Sequence, residues 1–65
     1  MVFGKVISVK PDFYFVQRDD GGPDVFLGAR QLEIDGLKPL KLGDRVRFDV
    51  QASNRGHRAH NVQVL

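Results

Sequence analysis

The sequence has no cysteine, only three prolines, and no apolar run approaching the roughly 20 residues needed to cross a bilayer. Without cysteine, neither a disulfide framework nor a thiolate metal site can supplement a small core. Sixty-five residues stand near the lower limit for folding on packing alone, so sheet closure and packing must hold the chain together. The opening residues Met1-Val2-Phe3-Gly4-Lys5 lack the charged leader and apolar stretch of a secretory signal, and the cytosol is the expected location. Charge of one sign is scarce as well. The net charge is +2, short of the strong basicity of a dedicated duplex-DNA binder. The excess is carboxy-terminal, where Lys41, Arg45, Arg47, Arg55 and Arg58 face only Asp44 and Asp49. A polyanionic partner is permitted by this balance and not demanded. With 42% hydrophobic and 28% charged residues, the chain lies far from the composition of disorder. One domain over residues 1–65 is expected.

What is present is a series of short runs rich in valine, phenylalanine and isoleucine, cut by glycine, proline, asparagine and aspartate. Val2 to Lys10 is closed by Pro11-Asp12, Phe13 to Arg18 by Asp19-Asp20-Gly21-Gly22-Pro23, and Asp24 to Gly28 forms a third run. From Ala29 to Leu42 the pattern changes. Asp35-Gly36 and Pro39 interrupt it, which predicts a loop with a turn of 3₁₀-helix. Arg45-Val46-Arg47-Phe48-Asp49-Val50 alternates polar with apolar and predicts a half-exposed strand with Val46, Phe48 and Val50 inward. Ser53-Asn54-Arg55-Gly56 turns the chain, and Ala59 to Leu65 alternates again. Five strands with no long helix predict an all-β fold, a closed or nearly closed antiparallel barrel that hides its edges.

Phe13 and Phe15 are two apart and leave the same face of their strand. Across the Asp20-Gly21 hairpin, Phe26 falls beside them. Aromatic rings on one sheet face, flanked by cations, form a platform on which unpaired bases stack while cations meet phosphates. The same rings fit a barrel core, because alternation does not say which face points inward.

Several segments in register resemble the cold-shock domain family. Asp12-Phe13-Tyr14-Phe15-Val16 resembles its first ribonucleoprotein motif (K-G-F-G-F-I), and Asp24-Val25-Phe26-Leu27-Gly28 its second (D-V-F-V-H). Asp35-Gly36-Leu37-Lys38-Pro39-Leu40 and Gly43-Asp44-Arg45-Val46-Arg47-Phe48 are similar to D-G-Y-K-S-L and E-G-Q-x-V-x-F. Arg55-Gly56-His57-Arg58-Ala59-His60-Asn61-Val62 is similar to the closing K-G-P-x-A-x-N-V. The resemblance runs from Gly4 to the end. It implies a five-stranded barrel of the oligonucleotide-binding kind, single-stranded RNA or DNA as partner, and a role as RNA chaperone or expression regulator. Phe13, Phe15 and Phe26 match the family's stacking phenylalanines. Lys5, Lys10, His57 and Arg58 stand where cationic or polar contacts to nucleic acid are expected.

The departures from the family are concentrated on that face. Its K-W-F-N reads Ile7-Ser8-Val9-Lys10 here, so a tryptophan becomes serine and a phenylalanine valine. Its histidine and aromatic after the second motif become Gly28 and Ala29, and its loop aromatic becomes Leu37. Each lost base–aromatic stack removes about 1–3 kcal/mol, so weaker or narrower binding is expected. Tyr14, Phe3 and Arg30 are conceivable compensations. Tyr14 and Phe3 read as packing residues, however, and Arg30 as a solvated loop charge.

Other chemistry finds little support. His57 and His60 lie at the start of a strand with no cysteine to complete a metal site. Asp19-Asp20 belong to a turn, and Ser8 and Ser53 lack a histidine and acid in any nucleophile pattern. No enzyme activity, cofactor or metal is expected. The alternative of a different class is a barrel with weakened nucleic-acid binding that serves as a protein-interaction module. A barrel of the ribosomal S1 type shares the strand pattern. A monomer is expected, although the short Pro11-Asp12 turn also allows a strand-swapped dimer.

Overall fold

The computed structural model describes residues 1–54 and 56–65; Arg55, within the tetrapeptide expected to turn the chain, lies outside the described residues. The strands are β1 (Val2–Val9), β2 (Phe13–Arg18), β3 (Val25–Gly28), β4 (Arg45–Ser53) and β5 (Gly56–Val64), with a helix α1 (Ala29–Ile34) between β3 and β4. They close into a barrel in the order β1-β2-β3-β5-β4. Closure leaves no long sheet edge to template aggregation. Neighbours are antiparallel except for β3 and β5, which run parallel and meet at Phe26 and Arg58.

Alternation sends one set of side chains inside. Val6, Val16, Val25, Leu27, Val46 and Phe48 are fully buried, and Tyr14, Leu32, Leu40, Ala59 and Val62 complete the core. Burying a side chain of this size stabilises by about 1.5–3 kcal/mol relative to exposure. Val50 packs against the core as a half-buried residue. β1 runs between β2 and β4, and Gly4 is paired on both sides, with Arg18 and Val46. A Cβ on Gly4 would stand 2.6 Å from the Gln17 carbonyl oxygen and 2.7 Å from Val16 Cγ1, so only glycine lets those backbones approach.

The Ala29–Leu42 segment corrects the expectation of a loop with a 3₁₀ turn. Ala29–Ile34 is α-helical and docks Leu32 into the core. The Asp35-Gly36 pair is its terminator. Gly36 adopts φ +72°, its N–H donates to Glu33 O at 3.1 Å, and the Leu37 N–H donates to Leu32 O at 2.8 Å. That is a Schellman cap, which satisfies the last carbonyls of even a short α-helix. Asp35 then anchors α1 to β5, accepting from the Val62 N–H at 2.8 Å and from Gln31 Nε2 at 3.2 Å.

β4 and β5 are longer than the periodicity indicates, pairing out to Ser53 and Gly56. The register shifts between Arg47 and Asp49, opposite Asn61, which takes φ 52° and donates from Nδ2 to Asp49 Oδ2 at 3.0 Å. Asparagine tolerates this left-handed backbone better than most residues. No helix among the described residues is long and apolar enough to cross a membrane.

Candidate nucleic-acid interface

Two apolar sets compete for the inside of β2, and the barrel takes Tyr14 and Val16. Tyr14 is 5% exposed, and its hydroxyl accepts the Leu40 N–H at 3.2 Å, which ties β2 to the segment before β4. Alternation then forces Phe13 and Phe15 outward. Phe15 is 36% exposed. Phe15 pairs with Phe26 and Phe13 with Gly28 across β2 and β3, so all three rings gather on the outer surface.

The rings pack on one another as well as standing side by side. Phe13 and Phe26 are stacked with centroids 5.4 Å apart. Phe15 meets Phe13 edge-on at 5.7 Å and Phe26 at 6.1 Å. Such arrangements fit the aromatic quadrupole, and each ring is held by the other two. The parallel contact between β3 and β5 brings Arg58 to the far side of Phe26, its guanidinium carbon 5.7 Å from the ring centroid. Phe26 and Arg58 also line a groove with Ser53 and Asn54 at the β4–β5 turn. The arrangement offers π faces to bases and a cation to phosphate, the pairing that single-strand binding requires.

The remaining residues singled out in the sequence are placed differently. Lys10 is exposed beside the β1–β2 turn, where its N–H donates to Phe13 O at 2.9 Å, at the Phe13 end of the rings. Lys5 is exposed on the outer face and pairs with Gln17, two residues beyond Phe15. His57 is not gathered with them. Arg58 faces outward and Ala59 inward, so His57 leaves β5 on the Ala59 side, where it is half-buried with Nδ1 lacking a hydrogen-bond partner.

Two vacancies mark where rings are missing. Ser8 pairs with Phe15 across a bulge in β1, so the serine stands at the edge of the platform. At Gly28 a Cβ would lie 3.5 Å from Phe26 Cε1, an ordinary contact, so a side chain would fit over that edge. Phe3 overturns its reading as a packing residue. It is 44% exposed, because the buried Gly4 beside it fixes the alternation of β1. Arg30 is exposed, as a solvated charge should be, but in the first turn of α1.

Charge around the hairpins is organised into ion pairs. Arg18 Nε donates to Asp20 Oδ1 at 2.9 Å and Nη2 to Oδ2 at 2.6 Å, while Arg45 forks onto the Asp19 carboxylate. Hydrogen bonding from Arg45 holds the Asp19 carboxyl below its ordinary 3.8. Arg18, and then the Gly22 N–H, do the same for Asp20. Among the described residues no group of three or more histidine, cysteine, aspartate or glutamate side chains is placed to hold a metal ion.

Comparison with known proteins agrees with this geometry. The family described as the 'Cold-shock' DNA-binding domain matches residues 3–65. The chain belongs to the cold-shock domain family. Among similar relatives, the cold shock-like protein CspG of Shewanella violacea is 42% identical over 61 residues, 94% of this chain and 87% of that one. A cold shock-like protein of Aquifex aeolicus is 38% identical over the same shares. The cold shock protein CspC of Bacillus subtilis is 39% identical over 59 residues, 91% and 88% of the two chains. The cold-shock barrel expected from the sequence is the fold observed, and nucleic-acid binding is the general function of the family.

Proposed function

We propose that this cold-shock domain binds single-stranded RNA or DNA by stacking successive bases on Phe13, Phe15 and Phe26, with Arg58 and Lys10 meeting the adjacent phosphates. The observation that carries the reading is the outward cluster of three mutually packed rings ending under Arg58. Core residues would not be turned to solvent, and a surface needed only for solubility would not collect aromatics. Every base has a π face, so recognition by stacking tolerates sequence. A protein that binds only unpaired strands shifts the pairing equilibrium toward open RNA by mass action, which is the physical basis of chaperone activity. His57 takes no part in this reading.

The test is a backbone NMR titration with a four-nucleotide oligo-dT or oligo-U at low and moderate salt. Shifts should cluster on residues 13–16, 25–28 and 58 and weaken as salt rises, because counterion release drives part of the affinity. Absence of shifts at millimolar ligand sinks the proposal and favours the barrel as a protein-interaction module.

A further inference from the structure

Phe3 stands apart from the other exposed apolar residues because charged residues flank it on both sides, Arg47 on β4 and, beyond β2, Asp19, whose N–H donates to Phe3 O at 2.9 Å. It pairs with Arg47 of β4, and Lys5, two residues along β1, pairs with Arg45. Partners in a sheet share a face, so Phe3, Lys5, Arg45 and Arg47 form one patch while Gly4, Val6 and Val46 point inward. The Asp19 carboxylate enters this patch, held by Arg45. Phe3 and Arg45 also line a shallow depression with Met1, Val2, Asp19 and Asp20. Asp20 is taken up by Arg18, the terminal amine stands 3.9 Å from Asp49, and half-buried Arg47 donates from Nη2 to Gln63 Oε1. Over the whole neighbourhood Lys5, Arg18, Arg45, Arg47 and the amine outnumber Asp19, Asp20 and Asp49, five charges against three.

The patch is continuous with the three-ring platform. The bulge between Val6 and Ser8 resets the alternation of β1, so that Lys5 pairs with Gln17 and Ser8 with Phe15, both outward. Phe3 lies five positions from Ser8, about 17 Å along the strand at about 3.3 Å per residue. About five stacked nucleotides, at about 3.4 Å each, cover that distance.

We propose that the β1–β4 face centred on Phe3 is a second segment of the single-strand path. It takes one base on Phe3 and phosphates on Lys5 and Arg47, of the same oligonucleotide that occupies Phe13, Phe15 and Phe26. The inference rests on the stacking function above, and its signature is a dependence on strand length. A strand of four nucleotides occupies the platform alone, whereas dT12 reaches Phe3.

The experiment measures binding of dT4 and dT12 to the wild-type chain, Phe3→Ala and Arg47→Gln, with circular dichroism confirming the fold of each variant. Phe3→Ala should weaken dT12 binding by about fivefold or more and leave dT4 unchanged, since one base–aromatic stack is lost. Arg47→Gln should reduce the slope of log affinity against log salt by about 0.7 for dT12 only. If Phe3→Ala fails to fold, Arg47→Gln decides alone. Equal affinities of variants and wild type for dT12, or equal losses for both lengths, overturn the second segment. Failure of the wild type to bind either strand is a different result, and it overturns the platform itself.

Discussion

Arg58 caps Phe26 across the parallel pairing of β3 and β5: the two are Cα partners, and the guanidinium carbon sits 5.7 Å from the ring centroid. The cation therefore stands at the end of the aromatic row, where a phosphate linking stacked bases would pass. Arg58→Ala should weaken oligo-dT binding and lower the salt slope by about 0.7, the value of one phosphate contact to a single strand. Arg58→Lys should restore the slope and only part of the affinity, because an ammonium lacks the planar face that stacks. Affinities measured from 50 to 300 mM salt check both; an unchanged slope in Arg58→Ala removes Arg58 from the phosphate path.

Phe15 and Phe48 are the same residue type on opposite sides of the barrel wall. Phe48 is fully buried, and Phe48→Ala should cost about 3–5 kcal/mol, enough to unfold much of a domain this size. Phe15→Ala should leave the fold cooperative and reduce affinity by about 5- to 100-fold. Urea denaturation beside an oligo-dT titration separates the two. If Phe15→Ala unfolds the chain as Phe48→Ala does, the outer ring is structural.

The gaps at Ser8 and Gly28 should be fillable. Ser8→Trp adds a ring beside Phe15, its cross-strand partner. Gly28→His places a ring where a Cβ finds only ordinary contact with Phe26. Each should tighten oligo-dT binding by about fivefold or more if the new ring accepts a base. Fluorescence quenching of the new tryptophan reads the first directly; no quenching at saturating ligand means the strand does not pass Ser8.

Tyr14 supplies a hydroxyl to the interior. Tyr14→Phe leaves the Leu40 N–H, now bonded at 3.2 Å, without a partner. The expected loss is about 1–3 kcal/mol of stability, with the affinity of the folded protein unchanged. A melting temperature that does not move would mean that water replaces the hydroxyl.

Asp19 and Asp20 carry depressed carboxyl pKa values through their hydrogen bonds to Arg45 and Arg18. A group whose pKa is lowered by folding contributes stability above its unfolded value and loses it as pH falls through the folded one. These two pairs should accordingly contribute a constant stability near neutrality and lose it as pH drops below the ordinary 3.8. Asp19→Asn should be slightly less stable than wild type at pH 7, the pair being exposed, and the gap should close toward pH 2. Urea midpoints across that range check the sign.

Much of this was legible in the sequence for physical reasons that can be named. A period of two marks strands wherever one face is buried, and β2 begins and ends where Pro11-Asp12 and Asp19-Asp20 bound its apolar run. Glycine and aspartate mark turns because few other residues adopt the backbone that turns require. The helix was misread because Asp35-Gly36 breaks a helix and caps one equally well; only the hydrogen bonds to Leu32 and Glu33 show which. Phe3 was misread because an isolated phenylalanine is usually core.

The amino-acid order by itself determined that Phe13 and Phe15 share a face, that five strands form, and that no disulfide staples them. Which face is outer was decided only by the closed barrel. Its interior is filled by Phe48, Leu27, Tyr14 and a set of valines, which leaves no volume for three more rings. The contact of Phe26 with Arg58 was likewise tertiary. It joins residues 32 apart through a strand pairing that exists only once the barrel has closed, and no local periodicity carries such a relation.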